Sequence, residues 1–277
     1  MWALTDIVEE LEGKSNSQRR RIVKRRLETL GINYDEQRFL IGTHSNILVD
    51  LPEKAEGKRL LIASHYDKVL GSPGANDNAS AVAVCLGLVE RFKETKPATP
   101  LRIAFFDWEE KSLFGSRDYC RTRGVSDINA VLNYELVGEG SIPVFWPNQV
   151  QSKDYLNKLE RAAKSLYGEA HFEDYAGPHT GDHQAFIEQG VRDSICLTMV
   201  CEEDRDLLEM IKRTDLTRIG IRELVTLHRS VVERSKTLRH YHKASDKAKY
   251  VREEVLQSVK EMTLRFVEYL AGEHQKP

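Results

Sequence analysis

Cysteine is scarce in this chain: Cys85, Cys120, Cys196 and Cys201 are four among 277 residues. They lie too far apart for a disulfide framework, and the setting expected from them is a reducing cytoplasm. Proline (8) and glycine (17) are also few, which excludes collagen-like and low-complexity disordered chains. No charge of one sign dominates. The 41 Lys and Arg face 43 Asp and Glu for a net charge of -2, so the basic excess of a nucleic-acid partner is missing. No apolar run approaches the ~18 residues of a membrane span. The start turns acidic and then basic, without the apolar stretch and small-residue cleavage site of a secretory leader. Neither nucleic acid nor membrane is therefore expected as a partner, and nothing marks an oligomeric state. What is present is a 40% share of hydrophobic residues, enough for a sizeable core.

The patterning predicts elements. Residues 17–30 read as a helix, with Val23, Leu27 and Leu30 on one face. The run Arg19, Arg20, Arg21, Lys24, Arg25 and Arg26 is read as the solvated face opposite that stripe. From residue 45 onward, short apolar runs at 60–63, 101–106, 130–132, 143–146 and 194–200 alternate with helix-period segments near 78–93, 151–166, 183–189 and 249–271. This predicts an α/β fold in three layers, a mixed but largely parallel sheet with helices on both faces. One domain spans 1–277, with a helical N-terminal extension at 1–30 and a helical insertion at 202–239 acting as lid or interface. The apolar residues of that insertion (Leu207, Leu208, Ile211, Ile219, Ile221, Leu224, Val225, Leu227) are expected mainly in the core.

In an open α/β sheet, ligands sit beyond the carboxyl ends of the strands. The first of these apolar runs is followed by His65-Tyr66-Asp67, the second by Asp107-Trp108-Glu109-Glu110 and the third by Tyr134-Glu135. The glycine-punctuated stretch 71–78 adds Asp77, and Tyr241-His242 comes before the last helix. Buried charges are costly unless paired or metal-bound, so packing does not explain this set. Imidazole nitrogen and carboxylate oxygen suit Zn²⁺. Two metals about 3.5–4 Å apart need a shared ligand, which a carboxylate can be and an imidazole cannot. Adjacent Glu109 and Glu110 can divide the work, one on metal and one moving a proton.

The order His65-x-Asp67, then Gly74-Ala75-Asn76-Asp77-Asn78-Ala79-Ser80, then Glu109-Glu110-x-x-Leu113-x-Gly115-Ser116 resembles the co-catalytic di-zinc aminopeptidases. That family has bacterial leucyl aminopeptidases as members and glutaminyl cyclases and glutamate carboxypeptidase II as relatives. Asp182-His183-x-x-Phe186 and Tyr241-His242-x-x-x-Asp246 are similar to its closing motifs, and the likeness covers roughly 60–250. The resemblance implies two zinc ions per chain. Asp77 would bridge them, His65 and Glu135 would complete one site, and Glu110 and His242 the other. Glu109 would be the general base that activates the water and then protonates the leaving amine, with Tyr241 steadying the oxyanion. Asp67 would orient His65 and Asp246 would do the same for His242, with Asp182 in the same supporting shell. The Asp77–Asn78 bond would be cis.

Three positions depart from the family: Glu135 stands where Asp is usual, and Ser112 and Ala81 stand where Gly is. His183 is read as a pocket or packing residue, and Cys85 as core. The function expected is removal of the N-terminal residue of peptides. The alternatives are a glutaminyl-cyclase-like or carboxypeptidase-like zinc enzyme and a non-catalytic binding module. Gly-x-Ser-x-Gly, phosphate-loop, His-Glu-x-x-His and Cys-x-x-Cys patterns are absent.

Overall fold

A computed structural model describes residues 2–147, 151–172, 181–213 and 220–272. The chain opens with two helices, α1 (Leu4–Leu11) and α2 (Asn16–Thr29), then two strands, β1 (Asp35–Phe39) and β2 (His44–Leu51). Next come β3 (Arg59–His65), α3 (Ser80–Thr95), β4 (Leu101–Phe106), α4 (Phe114–Arg123), β5 (Ile128–Tyr134) and β6 (Ile142–Pro147). The rest is α5 (Lys153–Tyr167), β7 (His171–Phe172), α6 (His183–Glu188), β8 (Asp193–Val200), α7 (Arg205–Arg213), α8 (Ile221–Arg234) and α9 (Glu253–Leu270).

The strands form one eight-stranded sheet in the order β1-β2-β4-β3-β5-β8-β6-β7. β4, β3, β5 and β8 run parallel through its centre, while the β1–β2, β2–β4 and β8–β6 pairs are antiparallel. Central strands covered on both faces must be apolar on both, and here the two faces go to different helices. Leu60, Ile62, Ile103 and Phe105 pack with α1, α2, α3, α5 and α9. Leu61, Ala63, Ala104 and Phe106 pack with Tyr119 and Cys120 of α4 and Phe186 of α6. The three-layer α/β reading is what the structure shows. All four cysteines are free and buried.

Within 202–239, Leu208 and Ile211 of α7 and Val231 of α8 join Ile142, Val144, Trp146, Cys196 and Val200 over the β6–β8 side of the sheet. Val225 is exposed, Ile219 lies outside the described residues, and the side chains of Ile221 and Leu224 are not described.

The N-terminal helices depart most from the sequence reading. α2 begins with a reciprocal cap: Ser15 accepts from the Gln18 backbone and Gln18 accepts from the Ser15 backbone. Its inner face buries Ile22, Val23 and Leu27, a burial worth about 1.5–3 kcal/mol per side chain. Arg19, expected on a solvated face, is fully buried. Other basic residues of the run are engaged within the molecule. Arg26 pairs with Glu10 at 2.6 Å, Lys24 with Glu36 at 2.9 Å, and Arg25 with Glu10. The run is thus not simply the solvated face expected: Arg19 lies in the core and Lys24, Arg25 and Arg26 are paired within the molecule.

Candidate metal centre

Because β3, β4 and β5 are parallel and adjacent, their carboxyl ends open on one edge, and His65, Glu109–Glu110 and Glu135 meet there. Asp77 arrives from the turn at Ala75–Ala79 that leads into α3, and His242 from the segment between α8 and α9. The Asp77–Asn78 peptide is cis. Four residues bordering or belonging to this edge (Trp108, Ser112, Leu136 and His242) adopt left-handed φ near +60°, which L side chains rarely occupy. Such backbone is held in place by its surroundings and gathers at functional sites. Ser112, at φ +61°, stands where a glycine is expected, and a glycine would meet no steric penalty there.

Asp77 shares its carboxylate between two imidazoles. Oδ1 lies 3.4 Å from His65 Nε2, and Oδ2 lies 3.3 Å from His242 Nε2. His65 Nε2 is also 3.3 Å from Glu135 Oε2, and His242 Nε2 is 3.2 Å from Glu110 Oε2. These separations are long for charge-assisted hydrogen bonds, which run about 2.7–2.9 Å. They do match the edge of a tetrahedron: ligands about 2.0–2.1 Å from a zinc ion stand roughly 3.3–3.4 Å apart. His65, Asp77 and Glu135 can converge on one ion, and Asp77, Glu110 and His242 on a second, each trio offering atoms within 4.8 Å of one another. Glu110 Oε1 is buried without a hydrogen-bond partner, a lone pair that an ion would satisfy. The residues present therefore fit two ions with Asp77 in common.

The supporting contacts revise the expected roles. Asp67 lies 3.3 Å from His65 Nδ1 through Oδ1, and its oxygens also accept from the backbones of Glu109 (3.1 Å) and Glu110 (3.2 Å). Asp67 thus orients the imidazole, through its backbone oxygen at 3.2 Å from Nδ1 together with its carboxylate, and holds both glutamates. Asp246 was expected behind His242. It accepts instead from the backbones of Asn76 (2.8 Å) and Asp77 (3.2 Å), so it steadies the shared carboxylate. The extra methylene of Glu135 is absorbed by two amides, with Asn78 donating to Oε2 at 2.9 Å and Asn133 to Oε1 at 3.1 Å. Gly181 comes so close that a Cβ there would meet Asn133 Nδ2 at 2.5 Å. Asp182 follows, fully buried, and His183 is buried in α6. Tyr241 stacks on His242 with ring centroids 3.7 Å apart. The sequence reading missed Asn133 and a wall beside Glu109, where His44 packs on Trp108 at 4.2 Å and bonds Asp107 at 2.9 Å.

Burial and mutual charge set the proton affinities. Burial raises Glu109 well above the ordinary glutamate range, with His65 opposing and Glu135, Asp182 and Asp67 adding to the rise. Burial likewise lifts Glu135, and it lifts Asp182 to about 7. Burial pulls His65 down, but the charges of Glu135 and Glu109 and the contacts with Asp67 and Asp77 outweigh it and leave it well above 6.5. Burial also opposes the rise of His242, which Asp77 and Glu110 push up to about 10. Tyr241 is raised by burial and by the four surrounding carboxylates, so its hydroxyl stays protonated as a donor.

The sequence model of peptidase family M28 matches residues 46–267. A vacuolar membrane protease of Schizosaccharomyces japonicus is 38% identical over 127 residues, which are 45% of this chain and 15% of that protein. Among solved structures, a zinc aminopeptidase from Bacillus subtilis superposes with a TM-score of 0.61 at 21% identity, over 82% of this chain and 50% of that one. A glutaminyl cyclase from Porphyromonas gingivalis gives 0.69 at 19% identity, over 97% of each chain. The chain thus matches only a small part of the vacuolar relative's length. These relatives contradict the cytoplasmic setting expected from the sequence. Proteins of the same name from three other yeasts also match, and that name places them at a vacuolar membrane. Among the described residues no helix is long and apolar enough to cross a membrane.

Proposed function

The chain belongs to peptidase family M28, and from that premise we propose that it is a metal-dependent peptidase, namely a di-zinc aminopeptidase removing single residues from the N-termini of peptides. The observation that carries the reading is the division of the Asp77 carboxylate between the His65–Glu135 and Glu110–His242 clusters. His65, Asp77 and Glu135 would hold one zinc, and Asp77, Glu110 and His242 the other. Zinc bound there supplies a Lewis acid that acidifies water and polarises the scissile carbonyl.

The chain's own residues do the rest. Glu109 belongs to neither trio of the Asp77-sharing pair, and burial has raised its proton affinity. A carboxylate that is not itself a metal ligand would accept a proton from the attacking water and pass it to the leaving amine. Asp67 accepts from the Glu109 and Glu110 backbones and so fixes both residues; with zinc bound, Glu110 would serve the ion and Glu109 the water. The protonated Tyr241 hydroxyl donates to the oxygen that becomes negative as the carbonyl is attacked.

The test is a panel of aminoacyl-anilides with N-acetylated copies, offered to the zinc-loaded protein. Cleavage of the free-amine set alone is the expected result. Cleavage of both sets, or of neither, would refute an aminopeptidase. A second reading, cyclisation of N-terminal glutamine, draws on the full-length likeness to the P. gingivalis glutaminyl cyclase. A glutaminyl peptide in the same panel separates the two, because a cyclase releases no amino acid.

A further inference from the structure

We propose that Arg19 is a positioning residue for the metal centre, tying the loop that carries His65 and Asp67 to the loop that carries Asp77. The proposal rests on the zinc reading above and extends it to the N-terminal helices, which lie outside the family match at 46–267. Arg19 projects from α2 into the core, where its guanidinium is fully buried. It donates to four backbone carbonyls. Nε reaches Leu11 O at 3.1 Å and Nη1 reaches Tyr66 O at 3.3 Å, while Nη2 reaches Pro73 O at 2.8 Å and Gly74 O at 2.6 Å.

Tyr66 is the residue between His65 and Asp67, and Gly74 is three residues before Asp77. The guanidinium therefore spans both ends of the loop that sets the distance between a terminal ligand and the shared one. Gly74 is shaped to admit it: its φ is +70°, and a Cβ there would lie 2.6 Å from Arg19 Nη2 and 2.9 Å from Asp77 O. The surrounding extension closes on the same region. The Gly13 backbone also donates to Pro73 O, and the Glu12 carboxylate accepts from the Ala248 backbone, two residues past Asp246. A planar fork with five donors serves four carbonyls in fixed directions, whereas an ammonium offers three donors from one point.

Groups that orient metal ligands typically change metal affinity by roughly 10–100-fold when lost. Zinc affinity, by chelator competition, and amide exchange of residues 66–77 in the metal-free protein would be measured for Arg19→Met, Arg19→Lys and the exposed control Arg21→Met. Arg19→Met is expected to bind zinc roughly 10–100-fold more weakly, with faster exchange across 66–77, and Arg19→Lys to fall between it and wild type. Arg21→Met should match wild type. A folded Arg19→Met with wild-type zinc affinity and wild-type exchange overturns the proposal. If Arg19→Met does not fold, Arg19→Lys decides on the same criterion. A wild-type protein that takes up no zinc would refute the proposed function instead, while exchange in the metal-free variants would still judge Arg19.

Discussion

Glu109→Gln separates the proton-moving role from the metal-holding one. The side chain keeps its shape, and the backbone N–H that Asp67 accepts is unaffected. Glu109 Oε2 stands 3.9 Å from His65 Nε2, farther than the 3.2–3.4 Å from each imidazole to the carboxylates of its trio. Its removal should leave both ions in place. What is lost is general-base catalysis, which contributes about 10²–10⁴ in rate. At 1.36 kcal/mol per decade that is roughly 3–5 kcal/mol of barrier. The variant also loses a buried carboxylate that burial disfavours in its charged form, so the metal-free protein should melt no lower than wild type. Anilide turnover, zinc content and thermal melting on one preparation give all three readouts. A competing geometry exists, since His65, Glu109 and Glu110 also offer ligand atoms within 4.8 Å of one another. If Glu109→Gln loses a zinc ion, that geometry is the operative one and the assignment of Glu109 as base is wrong. Wild-type turnover would refute the mechanism outright.

Two further outcomes are expected. Buried Asp204 accepts from Ser235 Oγ (2.6 Å) and from the backbones of Lys236 (2.7 Å) and Thr237 (2.8 Å), anchoring the segment that leads to Tyr241 and His242. Asp204→Ala should cost about 3 kcal/mol, which for this chain length lowers Tm by roughly 6–12 °C; a change under 2 °C would show those contacts to be idle. The metal-free protein should also lose stability as pH rises from 6 to 9. His65 and His242 have folded-state proton affinities above their ordinary values, and so do Glu109, Glu135 and Asp182, so the folded state holds more protons than the unfolded one in that range. Urea midpoints with and without zinc would check this, and a metal-free midpoint that climbs with pH contradicts it.

The alternation of short apolar runs with helical segments was enough to read the parallel centre of the sheet, because β3, β4, β5 and β8 are buried on both faces. Three strands were missed: β2 (His44–Leu51) is largely buried and its Ile47-Leu48-Val49 run could have been read as a strand, whereas the other two are of another kind. β1 (Asp35–Phe39) is half-exposed and polar and β7 is two residues long, so neither shows a hydrophobic period. At the site, residues that follow strands directly could be read in the sequence, since topology alone carries them to one edge. Contacts between distant segments could not. Asp246 on the Asn76–Asp77 backbone, Asn78 on Glu135 and Arg19 against the Asp77 loop have no local signal. A lone Arg in a basic run reads as surface until the fold shows four carbonyls waiting for it.

The claim beneath all of this is that Asp77 is shared by two ions. Anomalous scattering at the zinc edge from crystals of the zinc-loaded protein tests it directly. Two peaks about 3.5–4 Å apart are predicted, one between His65 and Glu135, the other between Glu110 and His242, with Asp77 between them. A single peak, or two peaks of which either lacks Asp77, would contradict the account.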